Sequence, residues 1–222
     1  MGEHESPLLI IGNKNYSSWS LRPWLLLRAF GVAFRELKLP LDTEEFEARI
    51  GEYSPSRRVP ALHDGGVRLW DSLAICEYAN ERWLGGRGWP ADIAVRAYAR
   101  ATSAEMHSGF TALRQELPMN CCKRASTPPL SRAAVEDIAR VQAIWRETRQ
   151  RHGGSGKFLF GAFGIADAMY APVALRFISH DVEVDAPARA YVDAIAALPA
   201  LREWLAEAAT EPLSPVHERM KP

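Results

Sequence analysis

Two serines stand side by side in NYSSWSLRPW (residues 15–24), where the apolar run Leu8–Ile11 gives way to a helical pattern. A hydroxyl at the start of a helix has two uses. It caps a free backbone N–H, or it donates to an anion drawn to the positive end of the helix. Ser17 and Ser18 are placed for either. A second pair, Asp71-Ser72, opens another helical stretch. Free N–H groups there suit a carboxylate, with Ser72 adding a hydroxyl, and Asp71 beside it suits an ammonium group. An acid and an amine held together describe the α-amino-acid end of a γ-glutamyl group. Ser72 on its own reads as a helix N-cap. A third feature is Arg58-Val59-Pro60-Ala61-Leu62, with a proline opening a strand, where its missing N–H is tolerated. In isolation such a bond reads as an ordinary trans proline.

The elements that carry these pairs come in two styles. Residues 1–84 alternate between strand and helix signals. Leu8–Gly12 reads as a strand, Trp19–Phe30 as a helix, and Phe34–Leu39 as a strand. Thr43 caps a helix through TEEFEARIGEY, with Glu44, Glu45 and Glu47 near its positive end. VPALHD and VRLWD are strand-length runs joined by a turn at Gly65-Gly66, and residues 72–83 are helical. The order β-α-β-α-β-β-α implies a mixed sheet covered by helices. GGRGWP (85–90) is the expected linker. Residues 91–222 lose the strand grammar and read as an all-helical domain. One helix is expected over 92–117, ended by Pro118; others start at Ser131, near Ile165, near Ala188 and after Pro199. On the first of these, Ser103, His107, Phe110 and Arg114 share a face toward the first domain. His107 reads either as a structural histidine or as a second-site residue.

Composition narrows the function classes. The chain has 222 residues with 27 Lys plus Arg against 27 Asp plus Glu, so nothing favours nucleic acid or an anionic membrane as partner. No apolar run approaches the ~20 residues of a membrane span, and the acidic N-terminus does not suit a signal peptide, so the reading is cytoplasmic. Cys76 sits in a helical pattern and is expected to be buried. Cys121 and Cys122 are adjacent, and no Cys or His spacing suits a metal.

Taken together, Ser17-Ser18 before a helix, Val59-Pro60, Asp71-Ser72 and a helical second half resemble a cytosolic glutathione S-transferase, over about residues 7–210. The fold implied is a thioredoxin-like domain (1–84) followed by a helical-bundle domain (91–222). In the thioredoxin fold the proline opening the third strand is cis, which turns the backbone of Val59 toward an extended peptide. NYSSWSLRPWL is similar to the SSCSxRV pattern of the zeta class, which includes maleylacetoacetate isomerase. Ser17 takes the place of the catalytic serine and Arg22 that of the arginine. Trp19 stands where the pattern has cysteine, and Pro23 where it has valine. Phe163-Gly164-Ile165-Ala166-Asp167 resembles the family's helix-starting capping box with glycine as the cap, which assigns Asp167 to folding.

The resemblance implies glutathione as co-substrate, no metal, a small electrophile, and a homodimer engaged in detoxification. Ser17, with Ser18 as the alternative, is expected to stabilise the thiolate. Val59 and Pro60 are expected at its cysteinyl backbone, Asp71 and Ser72 at its γ-glutamyl end, and Arg58 or Arg57 at its glycyl carboxylate. Tyr16, Trp19, Ser103, His107 and Phe110 are expected at the electrophile. Two other readings stay open: a glutathione-dependent cis–trans isomerase, which does not consume glutathione, and a non-catalytic binding protein on the same fold.

Overall fold

The computed structural model describes residues 6–214. The outer ends of the two expected domains, with His4, His217 and the acidic start of the chain, lie outside the described residues.

Four short strands form one sheet: β1 (Leu8–Ile11), β2 (Arg35–Lys38), β3 (Ala61–Asp64) and β4 (Val67–Trp70). Their order is β2-β1-β3-β4, with β1 parallel to β2 and antiparallel to β3, and β3 antiparallel to β4. The parallel pair demands a crossover, which α1 (Ser18–Ala29) supplies. The β3–β4 hairpin needs only the turn at Gly65-Gly66. Helices α2 (Glu44–Tyr53) and α3 (Ser72–Arg82) complete this half. The expected strand beginning at Val59 begins instead at Ala61, because Val59–Pro60 is a cis peptide outside the ladder.

The second half is helical: α4 (Ile93–Ser108), α5 (Thr111–Glu116), α6 (Arg132–His152), α7 (Ile165–Ser179), α8 (Ala186–Ala196) and α9 (Pro199–Ala208). The single helix expected over 92–117 is two. Gly109 is extended and Phe110 takes a left-handed conformation at φ 56°, so the chain changes direction between α4 and α5. The shared face drawn through Ser103, His107, Phe110 and Arg114 therefore does not exist as one helical stripe.

One apolar core runs through both halves. It joins Leu9, Trp24 and Leu25 to Trp145, Met169, Val173 and Phe177. Helix α7 is buried over nearly its whole length, and Pro172 lies inside it. Asp167 accepts from the Gly164 N–H at 3.0 Å, as the capping box requires, and also from Leu159 N–H and the Tyr191 hydroxyl. Gly164 is required sterically: a Cβ there would lie 2.7 Å from the Gly88 carbonyl, which accepts from Ile165 N–H. That contact fastens the 85–90 linker to the start of α7. Among the described residues no helix is long and apolar enough to cross a membrane.

Candidate active site

A cavity of about 430 Å³ opens between the sheet end of the first half and helices α4 and α5 of the second. It is lined by Trp19, Ser56, Arg58, Val59, Pro60, Trp70, Asp71, Ser72, His107 and Arg114. Of the residues expected at a site, Arg58, Val59, Pro60, Asp71, Ser72, Trp19 and His107 are thus brought together.

The N-terminus of α3 forms one wall. The cap is Asp71, with Ser72 as the first helical residue, which corrects the expectation that Ser72 caps. Asp71 Oδ1 accepts from Leu73 N–H at 2.9 Å and Ala74 N–H at 3.1 Å. Its Oδ2 lies 2.9 Å from His107 Nε2 on α4, an ion pair across the cavity whenever the imidazole is protonated. Ser72 is buried, and its hydroxyl accepts from Arg22 Nη1 at 3.5 Å, the limit of a hydrogen bond.

The two serines differ. Ser17 caps α1: its hydroxyl accepts from Ser20 N–H at 3.4 Å and donates to Ser20 Oγ at 2.7 Å. Ser20 Oγ in turn accepts from Gly12 N–H at 3.1 Å. Ser18 accepts from Arg176 Nη2 at 3.2 Å. Next to them, the Trp19 ring carries the Arg22 guanidinium at 4.0 Å and that of Arg114 at 4.9 Å, with the His107 ring edge-on at 5.3 Å.

Five expected residues do not line the cavity: Ser17 and Ser18, whose contacts are given above, and Tyr16, Ser103 and Phe110. Tyr16 is buried, and its hydroxyl accepts from Ser214 N–H. Ser103 is fully buried and donates to the Ala99 carbonyl within its own helix. Phe110 is packed into the core at the α4–α5 break. None of these lines the cavity.

Arg22 and Arg114 are joined by an arginine that sequence reasoning missed, Arg176. Arg22 and Arg176 are buried, Arg114 is half-buried, and none has an ion pair among the described residues. Burial, then repulsion from Arg114, lowers Arg22 and Arg176 to about 9, so both remain cations at neutral pH. Burial also lowers Arg114. Arg22 Nε is buried without a partner. A signal for Arg176 was available: a lone charge inside the otherwise apolar run of α7. Ser56 and Trp70 carried no comparable signal. Among the described residues no cluster of ligands suits a metal.

Residues 16–82 match the family model for the glutathione S-transferase N-terminal domain. A probable maleylacetoacetate isomerase of Caenorhabditis elegans is 31% identical over 110 residues, half of each chain. The maleylacetoacetate isomerase of Rattus norvegicus is 26% identical over 169 residues, 75% of this chain and 76% of that one. Glutathione S-transferase theta-1 of Mus musculus is 30% identical over 92 residues, 37% of this chain and 38% of that one. In these alignments the chain spans about half the length of the nematode relative and less of the mouse one. Among solved structures, a glutathione transferase homolog from Burkholderia gl BGR1 with bound glutathione superposes with a TM-score of 0.72 at 22% identity, over 93% of this chain and all of that one. At that identity the likeness speaks for the fold. Residues 16–82 thus carry the sequence of a glutathione S-transferase N-terminal domain, and the fold of both halves resembles that of solved glutathione transferases.

Proposed function

We propose that the protein is a glutathione transferase that binds glutathione in the cavity between its two halves and presents the sulfur as thiolate to a small electrophile. The observation that carries this reading is the convergence on one cavity of Val59-Pro60, the α3 N-terminus at Asp71-Ser72, and His107 and Arg114 from the helical half. The α3 N-terminus receives the γ-glutamyl carboxylate, with the Ser72 hydroxyl beside it. Asp71 receives the ammonium. The backbone of Val59 pairs with the cysteinyl residue. Arg58 meets the glycyl carboxylate, because Arg57 is already engaged with the Glu47 carbonyl and carboxylate at 2.7 and 3.1 Å. A free thiol titrates near ~8.5, so ionisation at neutral pH needs a hydroxyl donor and positive potential, which the serines at α1 and the three arginines offer. The protein works as a cytoplasmic homodimer in this reading, as the family resemblance implies.

A second reading, glutathione-dependent cis–trans isomerisation, is favoured by one observation: three arginines without carboxylate partners suit an anionic electrophile. Relatives named maleylacetoacetate isomerase fit it as well.

Calorimetric titration with glutathione tests the shared premise. Saturable binding at or below millimolar concentration is expected, and its absence would sink both readings. Turnover of a panel of chloronitrobenzenes, epoxides and unsaturated dicarboxylates then separates them, since a transferase consumes glutathione stoichiometrically and an isomerase does not. No turnover of any electrophile, with binding intact, leaves the non-catalytic binding protein as the answer.

A further inference from the structure

Asp71 is the one carboxylate among the described residues that line the cavity, and both of its oxygens are engaged. Oδ1 accepts from the Leu73 and Ala74 N–H groups, as a helix cap does. Oδ2, the oxygen left for the ammonium of a γ-glutamyl group, lies 2.9 Å from His107 Nε2. His107 reaches it from α4, in the other half of the molecule. The imidazole also meets the Trp19 ring edge-on at 5.3 Å. Its second nitrogen is not accommodated: Nδ1 is buried and has no hydrogen-bond partner among the described residues.

A buried ring nitrogen without a partner is unfavourable in either protonation state, as an acceptor in the neutral ring and as a donor in the charged one. The Asp71 contact therefore holds the imidazole in a place that its other nitrogen disfavours. Charge points the same way. His107 faces Asp71 on α3 and, across the Trp19 ring, Arg22 on α1 and Arg114 on α5. Arg58 lines the same cavity from the loop before β3. Arg176 on α7 and Cys76 on α3 lie near Arg22, and burial pushes the Cys76 thiol up, so it stays neutral. On α4 itself, Glu105 is paired with Arg140. A protonated His107 and a bound ammonium would thus share one carboxylate among arginines, and repulsion between like charges disfavours both being there at once.

We infer that His107 is an internal stand-in for the glutathione ammonium: it holds Asp71 Oδ2 until the γ-glutamyl ammonium displaces it. This rests on the proposed binding of the γ-glutamyl end at Asp71-Ser72. No covalent bond changes. One donor to Oδ2 is exchanged for another, and an imidazolium that loses its carboxylate among arginines gives its proton to solvent. The observed affinity for glutathione is then the intrinsic affinity multiplied by the fraction of molecules in which Asp71 is free. Loading of the site becomes sensitive to pH. Acid charges the imidazole, strengthens its hold on Asp71 and weakens glutathione; a rise in pH through the range where imidazoles titrate does the reverse.

S-methylglutathione is the probe, because it keeps the γ-glutamyl end and has no thiol to titrate. Its affinity is measured by calorimetry at about pH 5.5 and about pH 7, a window in which imidazoles change charge and the amine and carboxylates of the probe do not. The wild type is expected to bind about fivefold more weakly at the lower pH. His107→Phe keeps a ring against Trp19 and has no donor; it is expected to bind about fivefold more tightly than the wild type at the lower pH and to lose the pH dependence. His107→Ala, with no ring to obstruct the probe, is expected to do the same. The same S-methylated tripeptide with glutaryl in place of γ-glutamyl lacks the amine, and it is expected to show no preference for either variant. Weaker binding of S-methylglutathione to both variants would make His107 a contact of the ligand, and unchanged affinity would make it a bystander; either result overturns the inference. So does a pH dependence that survives in both variants, or a tightening shared by the glutaryl probe. A wild-type protein that binds neither glutathione nor S-methylglutathione at millimolar concentration has failed the proposed function itself, which is a different outcome from these.

Discussion

Two groups of buried cations flank α1, and the protein handles them in opposite ways. On one side Lys14, 1% exposed, lies 2.9 Å from Glu36 and 2.6 Å from Glu207. The rings of Trp24 and Trp204 enclose it with centroids at 4.7 and 5.3 Å, and both indole N–H groups are used nearby, on Glu36 and on the Lys14 carbonyl. On the other side Arg22 and Arg176 are buried with no carboxylate in ion-pair contact among the described residues, held by hydroxyls, carbonyls and an indole face. A buried cation with its counter-charges supplied by the chain locks elements together, here β1, β2 and α9. A buried cation without them leaves positive potential for an anion from outside. The two clusters share burial and sign, so partner supply separates a structural role from a functional one.

The largest expected effect breaks the satisfied cluster. Lys14→Met leaves Glu36 and Glu207 facing each other against two tryptophans. It should cost about 3 kcal/mol in urea unfolding, the low end for breaking a buried pair because Glu207 is half exposed. Glutathione affinity of the folded protein should be unchanged. A parallel loss of affinity at unchanged stability would erase the distinction between the clusters.

The opposite substitution at Arg22 should have the opposite sign. Burial first, then Arg114 and Arg176, bring its value down from the ordinary guanidinium range to about 9. The folded chain thus holds this proton less tightly than the unfolded chain. The charge opposes folding throughout the neutral range, and that penalty is relieved only as pH climbs through about 9 toward the unfolded value. Arg22→Met should therefore stabilise the ligand-free protein by about 1 kcal/mol while weakening glutathione at least about tenfold through the loss of positive charge beside Ser72. Thermal unfolding with and without glutathione reads both. A variant that is less stable and binds normally would place Arg22 with Lys14.

This contrast also marks where the sequence stopped being readable. The order of strands and helices in the first half was legible because each element carries its own period and punctuation: the Gly65-Gly66 turn, the Thr43 cap, the apolar run at Leu8. The cavity walls at Val59-Pro60 and Asp71-Ser72 were legible as local motifs. The break at Gly109-Phe110 was not, since the apolar spacing continues through it and the left-handed Phe110 is held by packing in the core. Nor was the choice of Asp71 over Ser72 as cap, because both residue types cap well. The arginine cluster was the hardest to see. Arg22, Arg114 and Arg176 are up to 154 positions apart in the numbering, and only the packing of α7 against α1, with Arg176 holding the Arg114 carbonyl on α5, makes them neighbours. Whether a cation has a partner is a property of the fold.

The smallest expected effect separates burial from pairing. Arg140 on α6 makes a two-pronged contact with Glu105 on α4, at 2.7 and 2.9 Å, with Arg140 half exposed. Its geometry is at least as good as that of Lys14, yet water screens it. Arg140→Ala should cost only about 0.5 kcal/mol in urea unfolding at low ionic strength, and less in 1 M salt, where the screening length falls to about 3 Å. A salt-insensitive loss of the size expected for Lys14→Met would mean that pairing geometry, and not burial, governs both sites. The contrast between the two buried clusters would then have to be redrawn around contacts alone.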